Sequence, residues 1–319
     1  MMKKLSLLIL FCTFACSALY AATVQRAILS HQGKLTQYDV NHWADAISDA
    51  VAGDTVYFTQ GYFSGNLIIT KPICLIGAGV SKDDIFWKNT NAAAIYEGCS
   101  TTGESTKIDG DVSIAIPGSL TLTRTLMEGF SILNHWTTVD QPITNLVLKR
   151  CQFGNFVANA KLTNLTLESC YLYSLNCNNF ENSDVHNCII ENLENSVELE
   201  FLNCITVDLH FCVNSSFVNC GFCALFDSGY CTFVNCLYRD TDVNSTYVNC
   251  TYVYESQLLT KSDMLSNNYL GTDGTVIGPL GGPAPFTLIP SQPYVSASTL
   301  NYNKSTKKLT VNVTVNKGK

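Results

Sequence analysis

Large apolar residues return at fixed offsets around seven cysteines: Cys151, Cys170, Cys188, Cys204, Cys220, Cys236 and Cys250. The intervals are 19, 18, 16, 16, 16 and 14 residues. Three positions before each cysteine stand Leu148, Leu167, Val185, Phe201, Phe217, Phe233 and Tyr247. Two positions after stand Phe153, Leu172, Ile190, Thr206, Phe222, Tyr238 and Tyr252. Such a period marks a solenoid, in which each repeat buries its apolar face against the next. Side chains alternate along a strand, so both sets point inward only if the chain bends between them. The last five repeats place Asn187, Asn203, Asn219, Asn235 and Asn249 at that bend, and Asn tolerates bend conformations. Each repeat is therefore predicted as strand, sharp bend, strand. Stacked coils would bring the asparagines into an amide ladder and the cysteines into a narrow interior column, where a thiol packs as a small hydrophobe.

Upstream of the repeat the alternation is less regular. Residues 67–69, 73–76, 112–116 and 120–122 read as strands, and residues 43–51 as a short amphipathic helix ended by Ala52-Gly53. An apolar helix there would cover the open end of the stack. The predicted class is all-β, a single-stranded parallel β-helix with an N-terminal capping helix and a C-terminal β tail. Residues 1–22 read as a signal peptide, 23–285 as the helix with its cap, and 286–319 as a tail packing on it. The tail alternates Leu309, Val311, Val313 and Val315 with Thr310, Asn312, Thr314 and Asn316. Two positions before the cysteine, the outward column turns apolar at Leu202, Val218, Val234 and Val248. Either the tail strand or the Pro-rich stretch at 283–293 is expected to cover it.

Lys3 and Lys4, the apolar run at 5–15 and the small-residue exit at 17–22 form an export signal; a lipoprotein signal ending at Cys16 is the alternative. No later run reaches transmembrane length. Without Lys3 and Lys4 the chain has 17 basic against 26 acidic side chains, a net charge of −9. That argues against nucleic-acid binding and repels polyanionic glycans that no cation bridges. Thirteen cysteines follow the signal. Their columnar positions favour buried free thiols over disulfides, and a lone Cys220-Gly221-Phe222-Cys223 is weak as a metal motif.

Several segments carry a resemblance. Ala44-Asp45-Ala46-Ile47, Ala52-Gly53-Asp54-Thr55-Val56-Tyr57, Gly61-Tyr62-Phe63 and the run from Lys71-Pro72-Ile73 to Gly77-Ala78-Gly79 resemble the entry to pectin-lyase-like right-handed parallel β-helices. The Phe-Val-Asn-Cys repeats are similar to that superfamily's coils. Gly271-Thr272-Asp273-Gly274 with Gly281-Gly282 resembles a closing segment of such helices in exported bacterial proteins. The likeness spans about residues 40–285 and implies the fold rather than an activity, since the superfamily holds lyases, hydrolases, esterases and adhesins. The hydrolases' Asn-Thr-Asp, Asp-Asp, Gly-His-Gly and Arg-Ile-Lys segments are missing from the repeat region.

The candidate chemistry is sparse. Lys149, Glu168, Asp184, His186 and Glu200 share one outward face. Glu168 and His186 are in register on adjacent coils, and Asp184 and His186 stand about 7 Å apart on one strand. Base, acid and cation together suit general acid–base work or cation binding; a ladder of exposed ion pairs is the plainer reading. Asp240 and Asp242 are candidate calcium ligands, and otherwise no cofactor is implied. Asp83-Asp84 reads as a solvated turn, and His31, His42 and His135 as structural. Three classes remain open: a non-catalytic scaffold binding polysaccharide or cell-surface glycan, a polysaccharide lyase or glycoside hydrolase, and a component of a larger surface assembly.

Overall fold

The computed structural model describes residues 25–81, 105–117, 120–122, 126–253, 265–291, 294–303 and 308–316. The export signal, Asp83-Asp84 and Cys99 lie outside them. The chain forms a parallel β-solenoid of about nine turns, about 50% strand and 4% helix.

Each coil has three sides rather than two. The first sheet holds the strand before each cysteine, in parallel register from Cys74–Ile76 to Thr246–Val248. The second holds the strand after it, ending at Thr251–Tyr252. A third, of four short strands, pairs Leu120–Thr121, Ile143–Thr144, Leu162–Thr163 and Phe180–Glu181, and continues as single bridges through Val197, Val213 and Gly229. Shortening the coil from 19 to 16 residues removes most of this third side.

The corner before each cysteine is a left-handed residue. Arg150, Ser169, Asn187, Asn203, Asn219, Asn235 and Asn249 all have φ between 51° and 56°. A second left-handed set, including Asn145, Asn164, Asn182, Asn214 and Tyr230, marks the corner after the third side. Asn is the side chain that adopts this region at least cost after Gly.

The interior is a set of ladders. The rings of Phe201, Phe217, Phe233 and Tyr247 stack at 4.7, 5.0 and 5.0 Å, the step between coils. The cysteine column does more than fill space. Each thiol donates across its corner to the carbonyl two residues back, as in Cys188 Sγ to His186 O at 3.2 Å and Cys204 Sγ to Leu202 O at 3.3 Å. It also accepts the N–H of the cysteine one coil earlier, at 3.4 Å for Cys170 to Cys188 and 3.3 Å for Cys204 to Cys220. Serine does the same at the other corners: Cys212 N donates to Ser228 Oγ, Leu199 N to Ser215 Oγ and Cys231 N to Ser245 Oγ. The bend breaks the ladder, and a small side chain with a donor and an acceptor repairs it.

No disulfide joins any of the twelve described cysteines, and ten of them are buried. Burial pushes the thiols of Cys151, Cys177, Cys188, Cys220 and Cys236 well above the usual range, so none of these five is poised as a nucleophile. In the native protein a thiol reagent is expected to reach only Cys223 and Cys250 of these twelve within minutes. Denaturant without reductant should expose the rest. Recovery of mostly oxidised pairs would remove the free-column reading.

At the N-terminal end, β1 (Arg26–His31) and β2 (Lys34–Asp39) form a hairpin whose β1 pairs antiparallel with β3 (Thr55–Phe58), so the first sheet begins with a reversed strand. Helix α1 (Trp43–Asp49) packs Trp43, Ala46 and Ile47 into the core, with Trp43 edge-on to Phe58 and Phe63.

The C-terminal segment corrects the expected cover. Residues 269–291 run as a strap, with little regular structure, along the outside of the asparagine corner. They pack Val276, Ile277, Leu280, Phe286 and Leu288 against Tyr171, Ile189, Ile205 and Leu237. Those four lie one position after the cysteine, not two before it. Leu202, Val218 and Val234 stay half-buried and Val248 exposed. Phe286 and Leu288, within the Pro-rich stretch, lie with this other column and not on Leu202, Val218, Val234 and Val248. The tail strand Lys308–Asn316 pairs instead with Tyr294–Asn303 in its own antiparallel hairpin.

The asparagines also do more than form a ladder. Asn187 Nδ2 donates to the carbonyls of Pro279 and Gly281, and Asn235 Nδ2 to that of Leu270. Asn219 accepts the Thr272 N–H. Asn235 to Asn219, at 3.2 Å, is the amide-to-amide bond of the expected kind at this corner. The column satisfies the backbone of the strap laid across it.

Candidate functional site

The expected register of the charged face is correct. Lys149 pairs with Glu168, Glu168 with His186, and Asp184 with Glu200. The side chains sort differently. Glu168 turns to Lys149, 2.5 Å from its Nζ, and lies 3.6 Å from Arg150. One coil before Lys149, Glu128 stands in the same column and is 1% exposed. It accepts from Arg150 at 2.7 Å and from both the N–H and the hydroxyl of Ser291. Four charges thus neutralise one another where the strap ends. Among the described residues no ion pair joins Glu168 to His186, and Asp184, His186 and Glu200 stand at the surface without ion-pair partners.

Asp240 and Asp242 serve the backbone. Asp240 accepts the N–H groups of Leu225 and Thr241, and Asp242 those of Asn244 and Ser245. No group of three or more metal-ligating side chains occurs among the described residues.

A third group is richer in chemistry. The strand Ser131–Val139 carries a bulge: Ile132 pairs with Phe153, and Trp136 with Asn155, so three residues oppose one. A bulge re-aims side chains, and here it presents His135 and Trp136. His135 Nε2–H donates to Asp109 Oδ1 at 3.0 Å, and His135 Nδ1 is 3.7 Å from Asp111 Oδ1. Asp111 also accepts the Trp136 N–H at 2.9 Å. The Tyr62 hydroxyl donates to Asp109, which, with His135, holds that carboxyl below its usual range; the same contact raises the Tyr62 phenol. Trp136 is 51% and Tyr62 49% exposed. Three adjacent coils therefore contribute an imidazole, two carboxylates, a phenol and an open indole to one surface patch.

Comparison with protein-family models, curated proteins and solved structures finds no match.

No sequence pattern marks Tyr62, Asp109 or Asp111 as a functional residue, and His135 reads from sequence as structural. Asp109-Gly110-Asp111 sits between the strands Thr106–Asp109 and Val112–Ile114, and His135-Trp136 follows one coil later. Extending the coil register above Cys151 aligns these segments.

Proposed function

We propose that this protein is an exported parallel β-helix of the pectin-lyase-like kind that binds a carbohydrate through the Trp136 patch and does not cleave it. The supporting observation is an exposed indole set beside two carboxylates, an imidazole and a phenol on a rigid parallel sheet. A pyranose presents an apolar C–H face that stacks on an aromatic ring, and hydroxyls that donate to carboxylates. Binding groups fixed by a sheet cost little entropy to order. The export signal would place such a binder where glycans are.

The alternative, a polysaccharide lyase or glycoside hydrolase, draws on the Asp109–His135–Asp111 arrangement, since an imidazole held between carboxylates suits proton transfer. One assay separates the two. The mature protein is incubated with a panel of polysaccharides, with and without calcium, following bound fraction, new reducing ends and unsaturated-sugar absorbance. Binding without product is expected, and Trp136→Ala should weaken it by about tenfold, the worth of one aromatic contact, with unchanged circular dichroism. Unaltered binding by that variant removes the patch as the site; accumulating product supports the enzyme.

A further inference from the structure

Trp136 begins a track. It pairs with Asn155 on the outer face of the second sheet, and that column continues coil by coil through Ser174, Asn192, Asp208 and Ala224. Two positions along each strand runs a second outward column. It contains Asn176, Glu194 and His210 in succession and ends at Phe226. Between the two columns the inward residues Phe156, Leu175, Leu193 and Leu209 are fully buried, which fixes both columns on the outside. The strap covers the neighbouring column of Tyr171 and Ile189, and runs beside the track rather than over it.

The track has an aromatic platform at each end. Trp136 is 51% exposed at the N-terminal end. At the other, Phe226 is 45% exposed and stacks on His210 at 4.6 Å with ring planes 12° apart. Between them one column holds Asn155, Ser174, Asn192 and Asp208 and the other Val157, Asn176, Glu194 and His210, with Asn176 Nδ2 donating to Glu194 at 3.3 Å. Neither column holds Lys or Arg from Trp136 to Ala224 or from Thr138 to Phe226.

We infer that this face binds a single linear, neutral polysaccharide chain lying along the solenoid axis, from Trp136 to Phe226. The inference rests on the carbohydrate reading above and extends it. From Trp136 to Ala224 is five coil steps, roughly 24 Å at about 4.8 Å per step. One step is close to the length of one hexopyranose residue, so successive sugars meet Asn155, Ser174, Asn192 and Asp208 in turn. Terminal aromatic platforms stack the end sugars, and the acidic, cation-free floor disfavours uronates.

The test uses the mature protein and β-1,4-linked neutral oligosaccharides of two to eight residues, prepared from cellulose, mannan and xylan, with oligogalacturonates of matching length. For at least one neutral series, affinity is expected to rise about tenfold or more from the dimer to a hexamer and then level off. Phe226→Ala should remove most of that gain, and Trp136→Ala should weaken every length. Binding that does not grow with length, or a hexamer indifferent to Phe226→Ala, overturns the track and leaves the Trp136 patch standing. Tighter binding of oligogalacturonate overturns its neutral specificity. No binding of any oligosaccharide overturns both readings.

Discussion

A chain ending at residue 264 is expected to melt at least 10 °C below the full-length protein, whereas one ending at residue 293 should melt within a few degrees of it. The shorter chain loses the strap and uncovers Tyr171, Ile189, Ile205 and Leu237, of which three are fully buried and Ile205 is 5% exposed. Re-exposing a side chain of this size costs about 1.5–3 kcal/mol. In a chain of this length each kcal/mol moves the melting temperature by roughly 1–2 °C. The strap's own Val276, Leu280, Phe286 and Leu288 add to the loss. The corner asparagines also lose the carbonyls of Pro279, Gly281 and Leu270 that they now satisfy. Binding of a hydrophobic dye should rise in the shorter chain only. Equal melting of the two truncated chains would mean that the strap lies on the solenoid without holding it.

That expectation shows where the sequence was legible and where it was not. The strand pairing from Lys149 to Val248 followed from seven cysteines and the apolar residues around them, because a strand that slips by one residue turns its whole core face outward. The bend was legible from its asparagines. The third side was not: its strands are two residues long, and a pattern of period two needs more than two residues to show itself. The strap was illegible for a related reason. It has no period, and its apolar residues match a column one position after the cysteines, which is apolar in Tyr171, Ile189, Ile205 and Leu237 but broken by Gly221. The column two before the cysteines is unbroken from Leu202 to Val248 and drew the attention instead.

The thiols illustrate a different limit. Their positions gave the column, but not why it is built from cysteine. The hydrogen bonds supply the reason: a corner in left-handed conformation leaves an N–H and a carbonyl that a small donor–acceptor side chain can reach from the adjacent coil. Ser228 beside Cys212, and Ser215 with Ser245 on either side of Cys231, show that a hydroxyl performs the same task. Sequence similarity between Cys and Ser columns at different corners would have given that clue without coordinates.

The candidate site was less legible still, because the repeat disappears above Cys151. There Gly129 takes the left-handed corner, with φ of 79°, and Phe130 the cysteine's place. With those substitutions in view, Glu128 falls above Lys149 and becomes the partner of Arg150.

Replacing Arg150 with Ala is accordingly expected to destabilise the protein by about 3–5 kcal/mol, the usual result of leaving a buried charge without its counter-ion. Glu128 is 1% exposed and would keep only the N–H and hydroxyl of Ser291 as donors. Glu128→Gln should cost a comparable amount, since the Arg150 guanidinium, 8% exposed, is then left with Glu168 at 3.6 Å. The informative variant is the double one, Glu128→Gln with Arg150→Asn. Asparagine is the residue that the later coils use at this corner, so the left-handed conformation is retained at little cost. With both charges gone, the loss should be well below the sum of the two single effects, by 1–3 kcal/mol of coupling on the order seen for contacting pairs. Urea unfolding of the unaltered protein, Glu128→Gln, Arg150→Asn and the double variant at one pH gives the cycle. Additive losses would show that Glu128 and Arg150 act independently, and that the strap's end is held at Ser291 by something other than this pair.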